Sequence, residues 1–178
     1  MLSVGSNLGD RLRCLQLAVD AVRPWLRAVS PVFETPPWGP VPQADYLNAV
    51  LLVDDPGAGP ADWLARAHAA ERAAGRTRDV RWGPRTLDVD VVAVRVASDR
   101  SASGRLASDR VASVEVVSDD PELTLPHPRA AERAFVLVPW LAADPAAELR
   151  GRPVAELLAE LPAADVAGVR PADSAALR

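Results

Sequence analysis

Residues 87–91 read Leu-Asp-Val-Asp-Val, and this alternation constrains the fold more than any other stretch of the chain. Alternate side chains of an extended strand face the same way. Leu87, Val89 and Val91 therefore need a core to cover them, while Asp88 and Asp90 project together, about 6–7 Å apart along the strand. Two ionised carboxylates side by side repel unless a cation lies between them. Oxygen donors of this kind suit Mg²⁺, which takes one or two carboxylates and fills its shell with water and substrate phosphates. Taken alone, the Asp-x-Asp reads equally well as the solvent face of an edge strand.

The preceding loop shifts that balance. Arg72, Arg76, Arg78, Arg81 and Arg85 crowd the approach to the carboxylates, with Trp82-Gly83-Pro84 in their midst. Carboxylates for a metal plus several guanidiniums form the composition of a polyphosphate site. Each part also has a plainer reading: a solvated charge run for the arginines, and a half-buried core residue for Trp82. Composition matters here, because all 20 basic residues are arginine and lysine is absent. A Walker-A phosphate loop and Schiff-base chemistry are thereby excluded. Anion binding must rest on guanidinium forks. GC-rich coding would also produce this bias.

The remaining bulk properties set limits. A chain of 178 residues with 49% hydrophobic content suits one domain with a real core. A net charge of −4 argues against a general nucleic-acid or membrane-surface binder. The lone Cys14 cannot form an internal disulfide, charges precede any long apolar run, and no membrane-length segment is visible. The expectation is a soluble, cytoplasmic protein, and a monomer.

Along the chain, residues 2–4 suggest a short strand running into the turn Gly5-Ser6-Asn7-Leu8-Gly9-Asp10. Leu12, Leu15, Val19, Val22 and Leu26 recur at helical spacing, and Pro24 should end or bend that helix. Residues 29–34 read as a strand with Pro31 near an edge or bulge, and residues 35–42 as a stiff loop with four prolines. A strand over 46–53, a helix over 61–74 capped by Gly75, and a strand over 87–94 follow. The insert at 95–113, with its VASDR and LASDR repeats, reads as a flexible low-complexity excursion from a hairpin returning near 114–117. Helices are expected over 129–142 and 153–160, and a disordered tail over 163–178. The interleaved order predicts an α+β two-layer sandwich, with one catalytic domain over 1–162.

Other residues are less specific. His68 and Glu71 share a helical face, and His127 sits between Pro126 and Pro128. With no cysteine near either histidine, zinc is not expected. Tyr46, Phe33 and Phe135 exhaust the tyrosines and phenylalanines, so a flat ligand competes with core packing for them. No Gly-x-Ser-x-Gly elbow is present, so a hydrolase triad has no support.

Five segments in order carry a family resemblance: Gly5–Asp10, Thr35-Pro36-Pro37-Trp38-Gly39-Pro40, Asp45-Tyr46-Leu47-Asn48, the run RWGPRTLDVD from Arg81 to Asp90, and Leu123-Thr124-Leu125-Pro126-His127-Pro128. The chain resembles the 6-hydroxymethyl-7,8-dihydropterin pyrophosphokinase family over roughly residues 2–145, the insert apart. The resemblance implies a ferredoxin-like fold with a mainly antiparallel sheet. It also implies transfer of pyrophosphate from ATP to the pterin hydroxymethyl group in folate biosynthesis. Asp88 and Asp90 would bind two Mg²⁺ ions, and Arg76 and Arg85 would serve the reacting phosphates. His68, Glu71, Val91, Thr124, His127 and Arg133 would line the ATP site. Tyr46 and Phe135 would sandwich the pterin, with Asn48, Thr35, Pro36 and Trp38 at its edge. Trp82 would serve both substrates from a closing loop.

Three departures accompany the likeness. Few residues precede the Gly-Ser-Asn turn, so the first strand should be short. The loop between Arg78 and Arg81 is one residue shorter than in some members, Asp79 stands where a basic side chain often does, and the insert replaces a tight turn. Two other readings remain open from the residues: a metal-dependent nucleotidyltransferase, and a non-catalytic pterin- or nucleotide-binding relative.

Overall fold

The computed structural model describes residues 1–39, 41–76, 83–97, 113–172 and 175–178. The elements run β1 (Leu2–Ser6), α1 (Arg11–Val22), β2 (Leu26–Val29), β3 (Phe33–Thr35), β4 (Tyr46–Val53), α2 (Pro60–Ala73) and β5 (Asp88–Val91). They continue with β6 (Arg95–Ala97), β7 (Ser113–Glu115), β8 (Ser118–Asp119), β9 (Thr124–Leu125), α3 (Ala134–Ala143), β10 (Glu148–Leu149), β11 (Arg152–Pro153), α4 (Val154–Ala159), α5 (Ala163–Ala167) and β12 (Arg170–Pro171). This is an α+β chain. Its main sheet runs β12-β3-β4-β1-β5 with β2 also on β4, and its strand pairs are antiparallel.

The eight-residue β4 organises the sheet. It pairs with β1 along one edge and with β2 and then β3 along the other. Its alternation places Ala49 and Leu51 in one core with Leu2, Val4, Val89 and Val91 of the neighbouring strands. Leu15 and Val19 of α1 and Trp63 and Ala67 of α2 cover that face. Val50 points the other way, into a second core with Val136, Leu137 and Trp140 of α3 and Leu157 of α4. Helices thus pack on both faces of the sheet, which corrects the two-layer expectation. The reason lies in α3, whose AFVLVPWLAA sequence is apolar around most of its circumference and needs cover on several sides.

Other boundaries differ for local reasons. β1 extends through Gly5 and Ser6, because these residues still pair with Asn48 and Leu47. The strand expected over 29–34 is split into β2 and β3 around Ser30-Pro31-Val32. There Ser30 Oγ accepts from the Val50 amide at 2.9 Å, taking the place of a ladder bond beside the proline. Gly75, at φ +68°, ends α2 in the left-handed region as expected. The helix expected over 129–142 is interrupted at Arg133, whose φ of −116° and ψ of 97° separate a short 3₁₀ turn from α3.

The hairpin leading out of the insert forms as β6 and β7, with Val96 facing Val114. Most of the insert, at 98–112, lies outside the described residues. The tail departs from its expected disorder. β12 adds to the sheet edge beside β3, the Ala172 amide donates to Val32 O at 2.9 Å, and Ala175 and Leu177 pack against the core. Small residues with two scattered apolar contacts suffice here, because the open edge of β3 supplies backbone partners. Among the described residues, no helix is long and apolar enough to cross a membrane.

Candidate active site

The sheet face opposite α1 and α2 carries Ser3 and Gly5 on β1, Asn48 on β4, and Asp88 and Asp90 on β5. All five line one pocket. The alternation read from Leu87 to Val91 therefore holds: Leu87, Val89 and Val91 are buried in the α1–α2 core, and the two aspartates face the open side. Gly5 stands between Asn48 and Asp88 in register. A Cβ there would meet Asn48 Oδ1 at 2.6 Å, so any side chain would have to displace the Asn48 amide.

Two adjoining cavities, of about 90 Å³ and 920 Å³, meet at Gly83, Arg85, Asp88, Asp90 and Arg133. The smaller brings together Thr35, Pro36, Trp38, Tyr46, Asn48 and Phe135, every described residue assigned to the pterin from sequence. The larger brings together His68, Glu71, Arg76, Arg85, Val91, Thr124, His127 and Arg133, every described residue assigned to ATP. Trp82, Arg78, Arg81 and Asp79 lie outside the described residues.

Ion pairs connect these groups. Asp88 is held by both Arg76, at 2.8 Å, and Arg85, while Arg76 also pairs with the buried Glu71. Glu71 in turn accepts from the Val89 amide at 3.0 Å, so one carboxylate orients both the strand and the guanidinium. Among the described residues, Asp90 has a single partner of this kind, Arg133, at 3.1 Å. Burial, followed by the neighbouring Asp88 charge, raises the Asp90 carboxyl to about 6. His127 is pushed the other way, down to about 4, by burial and then by the Arg133 charge. Arg133 also lies 5.2 Å above the Trp38 ring and 5.5 Å above Phe135, so it stands at the junction of both cavities.

The chemistry of this donor set fits a hard divalent cation. Two same-face carboxylates are available, and burial with the Asp88 charge raises the Asp90 carboxyl despite the Arg133 and Arg85 charges. Among the described residues, no group of three or more His, Cys, Asp or Glu is gathered to hold a metal ion. A cation between Asp88 and Asp90 would therefore complete its shell with water and phosphate oxygens, the usual habit of Mg²⁺.

Sequence reasoning passed over Asn7 and Gln43. The buried Asn7 side chain donates to Gln43 Oε1 at 2.9 Å and to Ala44 O at 3.1 Å, and accepts from the Arg85 amide at 2.8 Å. The Asn7 amide returns a bond to Arg85 O at 3.1 Å. This residue ties the wall of the smaller cavity to the arginine beside Asp88. The available signal was a polar amide at the end of an apolar strand, inside a motif quoted without assigning it a role.

The model of the 7,8-dihydro-6-hydroxymethylpterin-pyrophosphokinase (HPPK) family matches residues 1–145. The chain belongs to the HPPK family. It is 51% identical over 174 residues to a protein of Mycobacterium tuberculosis named 2-amino-4-hydroxy-6-hydroxymethyldihydropteridine pyrophosphokinase, covering 96% of this chain and 87% of that protein. Proteins of the same name from Methylorubrum extorquens and Bacillus subtilis are 38% and 33% identical. They cover 90% and 78% of this chain, and 91% and 73% of their own lengths. Both cavities are built mainly from the HPPK-matched residues, and α4, α5 and β12 lie beyond them.

Proposed function

We propose that this chain transfers the pyrophosphoryl group of ATP to the hydroxymethyl oxygen of 6-hydroxymethyl-7,8-dihydropterin, releasing AMP, a step of folate biosynthesis. One observation carries the reading beside family membership: the two cavities share a wall made of Asp88, Asp90, Arg85 and Arg133. A pterin in the smaller cavity and a triphosphate in the larger would meet at those four side chains. The alcohol oxygen attacks the β-phosphorus, the bond from that phosphorus to the α–β bridging oxygen breaks, and AMP leaves. The alcohol proton passes to solvent or phosphate. Such a displacement asks mainly for in-line positioning and charge compensation.

Asp88 and Asp90 are the residues that would hold Mg²⁺, as two ions along the phosphates. When bound, Mg²⁺ neutralises phosphate oxygens and acidifies a nearby hydroxyl. Arg76 and Arg85 fix the phosphates as planar permanent charges. His68, Glu71, Val91, Thr124, His127 and Arg133 line the nucleotide, and a neutral His127 can accept a hydrogen bond from it. Tyr46 and Phe135 flank the pterin ring. Thr35 and Asn48, joined by a 2.6 Å bond from Asn48 Nδ2 to Thr35 Oγ1, present polar atoms to its edge beside Pro36 and Trp38. Trp82, outside the described residues, is read as serving both substrates.

The segment β1-α1-β3-β4-α2-β5, with sheet order β3-β4-β1-β5, supports a ferredoxin-like core to which α3 and α4 add a further layer. Residues 1–162 are read as one catalytic domain. The working unit is read as a monomer, and the lone Cys14 suits the cytoplasm.

The test incubates the protein with ATP and the pterin, with and without Mg²⁺. AMP formation that needs both pterin and Mg²⁺, and that Asp88→Ala abolishes, supports the reading. Release of free pyrophosphate with AMP joined to the acceptor would replace it with nucleotidyl transfer.

A further inference from the structure

The wall of the smaller cavity is formed by the segment between β3 and β4, which carries Pro36, Trp38 and Gln43. Such a connection is free to shift unless its ends are fastened. Arg11 of α1 fastens both, donating to Glu34 Oε1 at 2.9 Å and to Asp45 O at 2.8 Å. A second set of fastenings comes from the other end of the chain. β12 hydrogen-bonds along β3 with Arg170 opposite Glu34 and Pro171 opposite Phe33. The Arg170 guanidinium reaches Asp45 at 3.2 Å, next to Tyr46. Gly168 lies against Pro36 so closely that a Cβ would stand 3.3 Å from its Cγ, and 3.4 Å from the carbonyls of Ala164 and Asp165.

We propose that α5 and β12 act as a strap that positions the pterin-side wall, with Gly168 and Arg170 as positioning residues that set pterin affinity without touching either substrate. The inference rests on the pterin assignment of the smaller cavity. Neither residue lines either cavity. Their action runs through Pro36 at one foot of the segment and Asp45 at the other. The strap lies beyond the residues that the HPPK model matches. The Arg170–Asp45 pair is exposed, with side chains at 60% and 39%, and pairs of that kind add little stability. Its effect is therefore geometric.

Arg170→Glu, which sets a carboxylate against Glu34 and Asp45, and Gly168→Leu, which wedges Pro36 outward, test the strap on the full chain. Pterin affinity is titrated by fluorescence in the presence of Mg²⁺ and a non-hydrolysable ATP analogue. Affinity for the analogue and the melting temperature are measured alongside. Both variants should weaken pterin roughly tenfold, equivalent to about 1.4 kcal/mol of binding free energy. Analogue affinity should be unchanged, the KM for pterin should rise more than kcat falls, and Arg170→Lys should retain wild-type pterin binding. Unchanged pterin affinity in both variants overturns the strap, as does equal weakening of pterin and analogue. Arg170→Glu alters an exposed side chain, so it remains foldable if the Gly168 wedge does not. A wild-type protein that binds no pterin would instead refute the assigned function, leaving the two failures distinct.

Discussion

At the scale of single residues, the site is defined by charges that burial leaves incompletely matched. Asp90, raised to about 6, is more readily protonated in the fold than in the open chain, so its contribution to stability is lost as pH rises from about 4 to 6. His127, lowered to about 4, is less readily protonated in the fold, so its contribution is present above about 6.5 and lost as pH falls towards 4. The two slopes oppose each other over most of this window. Asp90→Asn removes one of them, and its urea midpoint should then rise more steeply between pH 4.5 and 6.5 than that of the wild type. A parallel pair of profiles would contradict the assignment.

Asn7 makes a second prediction at this scale. Asn7→Ala leaves the Arg85 amide without its acceptor and removes the bond to Gln43 Oε1, costing about 1–3 kcal/mol in urea unfolding. It should also lower kcat by an order of magnitude or more, since Arg85 and the pterin wall lose their common anchor. The neighbouring aspartates were legible from sequence because alternation is a local property. The partners of Asn7 were not, because its carbonyl oxygen finds an amide 78 residues away.

At the scale of elements, strands and helices with a clean period were readable, and those shaped by two environments were not. Residues 46–53 form β4 and residues 61–74 form α2 within one residue at each end. At the Pro31 break Ser30 Oγ pairs with the Val50 amide, and Arg133 at its interruption pairs with Asp90, partners that no local period records. β4 also shows why the layer count was misjudged. A continuous apolar run buries both faces, and only the position of α3 reveals what covers the second. Leu51, fully buried in the α1–α2 core, is the direct test of the first face. Leu51→Ala should destabilise by about 2–5 kcal/mol in denaturant titration. A loss below 1 kcal/mol would mean that this core is less closely packed than described.

At the scale of the whole molecule, two cores on opposite sides of one sheet leave a strip of β1, β4 and β5 uncovered, and the cavities open there. The chemistry of that strip was written in the sequence: paired carboxylates on alternate positions, an arginine-rich approach and a motif order shared with HPPK proteins. These survive translation into structure because they depend on periodicity and side-chain type alone. The tertiary structure decided the rest. It brought Arg133 to Asp90 across 43 residues, and it laid Arg170 beside Asp45 across 125. Contacts at such separations exist only once the sheet has fixed both ends in space. A local pattern can name the groups that react, but the closure of the chain selects which of them meet.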